Sequence, residues 1–125
     1  MRVIIIEDEW AIATEYEQIL KSAFDEVECL FLGDGAKAEE THRRFKADLV
    51  ITDLVMDSHF EGAYGVHSIR SFDEKVPILI ISGHPKLAEF VDPFKTSKML
   101  VKPIDSTMLI TTVCQLLNIT SKTVH

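Results

Sequence analysis

Short β-branched runs recur along this chain at roughly 25-residue intervals, and between them the apolar residues switch to helical spacing. The runs are Val3–Ile6, Val27–Leu32, Leu49–Thr52, Ile78–Ile81 and Met99–Val101. They do not alternate apolar with polar residues, which is the habit of strands covered on both faces of a parallel sheet. Between them, Ile12, Tyr16, Ile19, Leu20 and Ala23 share one helical face, and Ala38, Thr41, His42 and Phe45 share another. A helix is expected from Tyr64 to Phe72, and a short one from Pro85, stopped before Pro93 because proline suits a first turn and blocks an interior one. Leu109, Val113, Leu116 and Leu117 form the last stripe, capped by Asp105 or Ser106. Gly33-Asp34-Gly35 turns the chain, with Asp34 the expected N-cap of the helix after it. Repeated βα units require right-handed crossovers, so the fold class is α/β, a doubly wound five-stranded parallel sheet with helices on both faces.

Composition narrows the class of function. At 125 residues, 46% hydrophobic and 26% charged, the chain is one globular domain. No apolar stretch approaches the ~20 residues that span a bilayer, and Val3–Ile6 is too short for a signal-peptide core, so a cytoplasmic protein away from membranes is expected. Thirteen basic against 20 acidic residues leave a net charge of −7, which repels phosphate backbones and argues against nucleic-acid binding. Cys29 and Cys114 have no metal-type spacing and read as reduced core thiols. His42, His59, His67 and His125 follow no ligand pattern and read as surface or loop residues, and the polar tail from Asn118 is expected to fray.

The chemistry sits at the strand ends. Ile6 leads into Glu7-Asp8-Glu9, Thr52 into Asp53, Ile81 into Ser82-Gly83, and Val101 into Lys102-Pro103. In an open parallel sheet the carboxyl ends of the strands line one crevice, so these groups can meet there. Carboxylates brought within ~4 Å repel by about 1 kcal/mol per pair in water and more in protein, a cost that a cation removes. Magnesium suits one or two carboxylates completed by water and phosphate oxygens. Lys102 adds a point charge able to hold a phosphoryl oxygen or pair with Asp53, and Ser82 adds a hydroxyl. Each residue alone is ordinary; the combination describes a site for a divalent cation and a phosphoryl group.

Over essentially its whole length the chain resembles the response-regulator receiver domains of two-component signalling. Glu7 and Asp8 match the two acids after strand one, and Leu49-Val50-Ile51-Thr52-Asp53 matches the phosphoacceptor strand. Ser82 matches the Ser or Thr ending strand four, and Lys102-Pro103 the Lys-Pro pair after strand five. The resemblance implies a flavodoxin-like (βα)5 fold of strand order 2-1-3-4-5, with a receiver unit over 1–120 and a tail over 121–125. It implies that Asp53 accepts a phosphoryl group from a histidine kinase or histidine phosphotransfer protein. It further implies Mg²⁺ held by Asp8, Asp53 and the Val55 carbonyl, with Glu7 acting through water, and a cis Lys102-Pro103 peptide. Such a chain catalyses only its own phosphorylation and dephosphorylation and signals to a downstream protein by contact or relay.

Three features depart from that family pattern. Met99 stands where most receivers carry Tyr or Phe on strand five, so the usual aromatic readout is missing. The loop after Asp53 runs through Met56, Asp57, Ser58, His59 and Phe60 to reach Gly65 about four residues late. His84 follows Ser82 closely enough to affect hydrolysis of an aspartyl phosphate, whereas the apolar Val55 does not suit positioning of water. Met99 and the altered loop suit an alternative, a pseudo-receiver that docks without phosphorylation; the retained acids, Ser82 and Lys102 oppose it. A haloacid-dehalogenase-like phosphohydrolase would want Asp-x-Asp after strand one, and here Trp10 occupies the second place. Trp10, just past Asp8, is expected to sense the metal site.

Overall fold

The computed structural model describes residues 1–54, 61–83 and 97–122. Five strands run in one parallel sheet: β1 (Arg2–Ile6), β2 (Glu28–Leu32), β3 (Leu49–Thr52), β4 (Ile78–Ser82) and β5 (Ser97–Val101), in the order β2-β1-β3-β4-β5. Four helices accompany them among the described residues: α1 (Trp10–Ala23), α2 (Ala38–Phe45), α3 (Glu61–Arg70) and α4 (Ser106–Leu117). This is the doubly wound α/β arrangement that the sequence implies.

Strand alternation divides one apolar run between two cores. Val3 and Ile5 of β1 join Leu49, Ile51, Leu79 and Ile81 beneath Ala13, Tyr16 and Leu20 of α1 and Leu109 and Val113 of α4. Ile4 and Ile6 join Val50, Ile78 and Ile80 beneath Ala38 of α2 and Val66 and Ile69 of α3. Successive side chains of a strand point to opposite faces, so covering both faces requires an unbroken apolar run. The three central strands are buried along these runs, whereas β2, at an edge, is only half-buried.

Several local expectations need correction. Asp34 does not cap α2: its carboxylate accepts from the Ala36 amide at 2.8 Å and shapes the turn, and the cap position falls to Lys37. Asp105 does cap α4, accepting from the Met108 amide at 2.9 Å. Helix α3 opens at Glu61, three residues before its apolar periodicity starts, and closes at Arg70. His42 is not a surface residue. It is 4% exposed, its Nε2 meets Asp73 Oδ2 at 2.8 Å, and its Nδ1 accepts from the Ala47 amide at 3.2 Å. The chain after α4 does not fray as far as Lys122, whose amide bonds the Ala23 carbonyl at 2.8 Å and whose ammonium reaches Asp25. Val55, the loop from Met56 to Phe60, His59, His84, the segment from Pro85 to Pro93 and His125 lie outside the described residues.

Gly65 shows how tightly α2 and α3 approach. A Cβ there would stand 3.2 Å from the Gly35 Cα, 3.3 Å from Ile6 Cδ1 and 3.4 Å from the Ala38 Cβ.

Candidate functional site

The sheet register brings the strand ends to one rim. Ile6 pairs with Thr52, Thr52 with Ile80, and Ser82 with Val101, so Glu7, Asp53, Ser82 and Lys102 emerge side by side. Cross-strand amides hold them at that level. The Glu7 amide donates to the Leu32 carbonyl at 2.9 Å, Asp53 to Ile6 at 3.3 Å, and Lys102 to Ser82 at 3.0 Å. The Thr52 hydroxyl donates to the Asp53 carbonyl at 2.7 Å and steadies the backbone where the strand ends.

Asp53 and Lys102 lie 49 positions apart, yet Lys102 Nζ stands 2.6 Å from Asp53 Oδ2. Asp53 is 8% exposed, Glu7 7% and Ser82 fully buried, whereas Asp8 stands at the open rim. The Lys102-Pro103 peptide is cis, matching what the resemblance implies. Burial by itself would lower the Lys102 ammonium, but the hydrogen bond and charge of Asp53, with Glu7 and Glu9 nearby, outweigh it and raise its pKa. The ammonium is therefore charged at neutral pH.

Glu7 is the strained member of the group. Burial, reinforced by a hydrogen bond with Asp8 and the charge of Asp53, pushes its carboxyl up to about 7, against the Glu9 amide and Lys102, which pull it down. The Glu9 amide reaches Glu7 Oε1 at 3.2 Å. Among the described residues no three metal-ligating side chains form a ready-made cage. Magnesium does not require one, because it is held by one or two carboxylates with waters and substrate oxygens. A buried carboxyl that resists ionisation beside two more acids is the donor chemistry that a small divalent cation relieves.

Tyr16 belongs to this neighbourhood, although its place on an apolar helix face hid it. Burial, then the charges of Glu7 and Asp53, raise its phenol above the usual tyrosine range, so it stays neutral. Helix side chains lean toward the N-terminus, which carries the ring toward the sheet's carboxyl rim. With Ile12, Ile19, Lys102, Pro103 and Ile104 it lines a cleft of about 390 Å³.

Other singled-out residues make packing contacts. Trp10 packs edge-on against Phe31 of β2 at 4.9 Å between ring centroids, and Met99 is half-buried against the α2–α3 core. Both thiols are half-buried, and burial pushes Cys29 up to about 11, which disfavours its thiolate.

The family model for the response regulator receiver domain matches residues 3–114. A response regulator receiver protein from Sinorhizobium medicae superposes with a TM-score of 0.78 at 31% identity, over 94% of both chains. The receiver domain of the Pseudomonas aeruginosa sensor histidine kinase PA1611, solved with magnesium in its active-site cleft, shares the fold at TM-score 0.75 and 19% identity, over 94% of this chain and 97% of that one. Among curated proteins, transcription factor SKN7 of Candida albicans is 38% identical over 72 residues. That match spans 56% of this chain and only 13% of the longer protein.

Proposed function

The chain belongs to the response regulator receiver domain family, and from that premise we propose that it is a phosphorylation-dependent switch with Asp53 as phosphoacceptor. The observation that carries this reading is the 2.6 Å Lys102–Asp53 pair, set among Glu7, Asp8 and Ser82 at the sheet's carboxyl rim. The signalling unit spans 1–120, with 121–125 a tail.

An Asp53 carboxylate oxygen attacks the phosphorus of a phosphohistidine on a histidine kinase or phosphotransfer partner. The new O–P bond forms as the P–N bond breaks, and the imidazole leaves with its electron pair. Lys102 then exchanges its carboxylate partner for a phosphoryl oxygen, so its positive charge stays compensated throughout. Ser82 offers its hydroxyl to a second phosphoryl oxygen, and that shift carries the state to the residues after β4. Asp8 and Asp53, the Val55 carbonyl and Glu7 through water are the groups that would hold Mg²⁺, which when bound offsets charge on the transferring oxygens. Magnesium in the cleft of the Pseudomonas receiver supports Mg²⁺ as the cation of this family's cleft. Turnover beyond its own phosphorylation is not part of this reading.

The chain acts in the cytoplasm, where kinases of this system deliver phosphoryl groups, and signals to a downstream protein by contact or relay. No described helix is long and apolar enough to cross a membrane. Net charge of −7 argues against direct binding to nucleic acid. A pseudo-receiver, docking without phosphorylation, is favoured by Met99 in place of the aromatic readout and by the altered loop after Asp53, and is opposed by the retained Glu7, Asp8, Asp53, Ser82 and Lys102.

Incubation with acetyl phosphate and Mg²⁺, followed by intact-mass spectrometry, tests the assignment. One added phosphoryl group is expected, dependent on Mg²⁺ and lost in Asp53→Asn. Equal uptake by Asp53→Asn would move the acceptor elsewhere. No uptake together with no response to fluoroberyllate would leave the pseudo-receiver.

A further inference from the structure

Strand β2 has hydrogen-bonding capacity that phosphoryl transfer does not use. Among the described residues it pairs with β1 on one side only. The Glu28 amide donates to the Met1 carbonyl at 2.9 Å, and the Leu32 carbonyl accepts from Glu7 at 2.9 Å. In a parallel ladder that parity commits Glu28, Leu30 and Leu32 to β1 and turns the amides and carbonyls of Cys29 and Phe31 outward. Among the described residues no hydrogen bond reaches those outward groups.

Natural edge strands are usually blunted by lysine, proline or a bulge. The β2 sequence Glu-Cys-Leu-Phe-Leu has none of these, and its one charge, Glu28, is paired with Arg2 at 3.6 Å. The opposite edge strand, β5, carries Lys98 near its middle. Apolar shoulders flank the β2 edge on both faces. On one, Trp10 is 70% exposed and rests on Phe31. On the other, Leu30 and Phe45 form the floor of a groove of about 470 Å³ between β2 and α2, rimmed by Lys37, Glu40 and Arg44. Arg44 is held by Glu40 at 3.1 Å, whereas Lys37 has no carboxylate partner among the described residues.

We propose that the β2 edge docks an extended segment of a partner protein as a sixth strand of the sheet. The segment places one apolar side chain over Leu30 and Phe45, its neighbours against Phe31 and Trp10, and an acid, two positions along, on Lys37. Strand addition draws affinity from the edge amides and specificity from alternate side chains. A second copy of this chain fits poorly. Its β2 offers a single acid already paired with Arg2, and two chains of net charge −7 repel. A short acidic segment feels Lys37 within a Debye length of roughly 8–10 Å and escapes most of the distant charge.

The probe is a blocked synthetic peptide, Thr-Glu-Val-Leu-Val-Glu-Thr, which presents the same pattern in either direction, added to the ¹⁵N-labelled protein. Hydrogen exchange at Cys29 and Phe31 is expected to slow at least tenfold at saturation. Only alternate amides of an added strand face its neighbour. Of two probes, one N-methylated at the leucine and one at both valines, one is therefore expected to lose binding and the other to keep it. Lys37→Glu, at an exposed position, is expected to weaken binding about tenfold and steepen no salt dependence. Three results overturn the proposal: no protection at millimolar peptide, equal behaviour of the two methylated probes, or a protein dimer in sedimentation that buries the same amides.

Discussion

Lys102 and Asp53 form an ion pair, and the proposed transfer to Asp53 would have to open it, giving Lys102 a phosphoryl oxygen in place of the carboxylate. Replacing Lys102 with methionine keeps the apolar stem and removes only the charge. Loss of one preorganised donor to a transition state costs on the order of 10²-fold in rate. Lys102→Met is therefore expected to take up phosphoryl groups from acetyl phosphate about 10²-fold more slowly, read as a mass time course, with its far-ultraviolet circular dichroism unchanged. An unaltered rate would remove Lys102 from the chemistry. The position of Lys102 at the carboxyl rim beside Asp53 was legible from its place next to Pro103 after a β-branched run. The nearness of Tyr16 to the acids was not, because a tyrosine on an apolar helical stripe reads as core until the acids beside it are located.

At the scale of elements, the helices on the α2–α3 face are tied together by two contacts that local patterns do not reveal. His42 of α2 reaches Asp73, just past α3, and Asp73 also accepts from the amides of Lys75 and Val76 at 2.9 and 3.0 Å. Burial tends to raise the Asp73 carboxyl, but the His42 bond and the two amides outweigh it and hold the pKa below the ordinary 3.8. A depressed carboxylate stabilises the fold fully above its unfolded pKa, and the contribution disappears as pH falls through the folded value. Asp73→Asn is thus expected to lose about 1 kcal/mol in urea melts at pH 6, and the gap to the parent is expected to close as pH drops below 3.8. A gap of constant size would mean that Asp73 acts through shape alone. Gly65 is the second contact. Alanine there gains up to about 1 kcal/mol of helix propensity, but overpacking against the Gly35 backbone and the Ala38 Cβ costs about 1–3 kcal/mol. Gly65→Ala should lose about 1 kcal/mol net in thermal melts, and Gly65→Val more; a stabilised Gly65→Ala would show that α3 can slide outward.

For the whole molecule, a cation that binds only the folded state stabilises all of it by mass action. At a hundredfold excess over Kd that amounts to about 2.7 kcal/mol, or roughly 10 °C in Tm for a domain of this size. Mg²⁺ is expected to raise the melting temperature by that order, and Asp8→Asn to lose most of the rise; equal rises would separate Asp8 from the metal. The sequence alone determined the alternation of strands and helices, the two-faced burial and the order in which an acid pair, an aspartate, a serine and a lysine end the first, third, fourth and fifth strands. Those are local properties, set by backbone sterics and by the period at which apolar residues recur. Tertiary structure alone decided which ends meet, through the pairings of Ile6 with Thr52 and Ser82 with Val101. It also buried His42 against Asp73, 31 positions away, and, among the described residues, left the outward amides of β2 without a hydrogen-bond partner. Register, long-range pairing and open edges depend on strand order in space, and strand order is settled by contacts between residues too far apart in sequence for any local pattern to record.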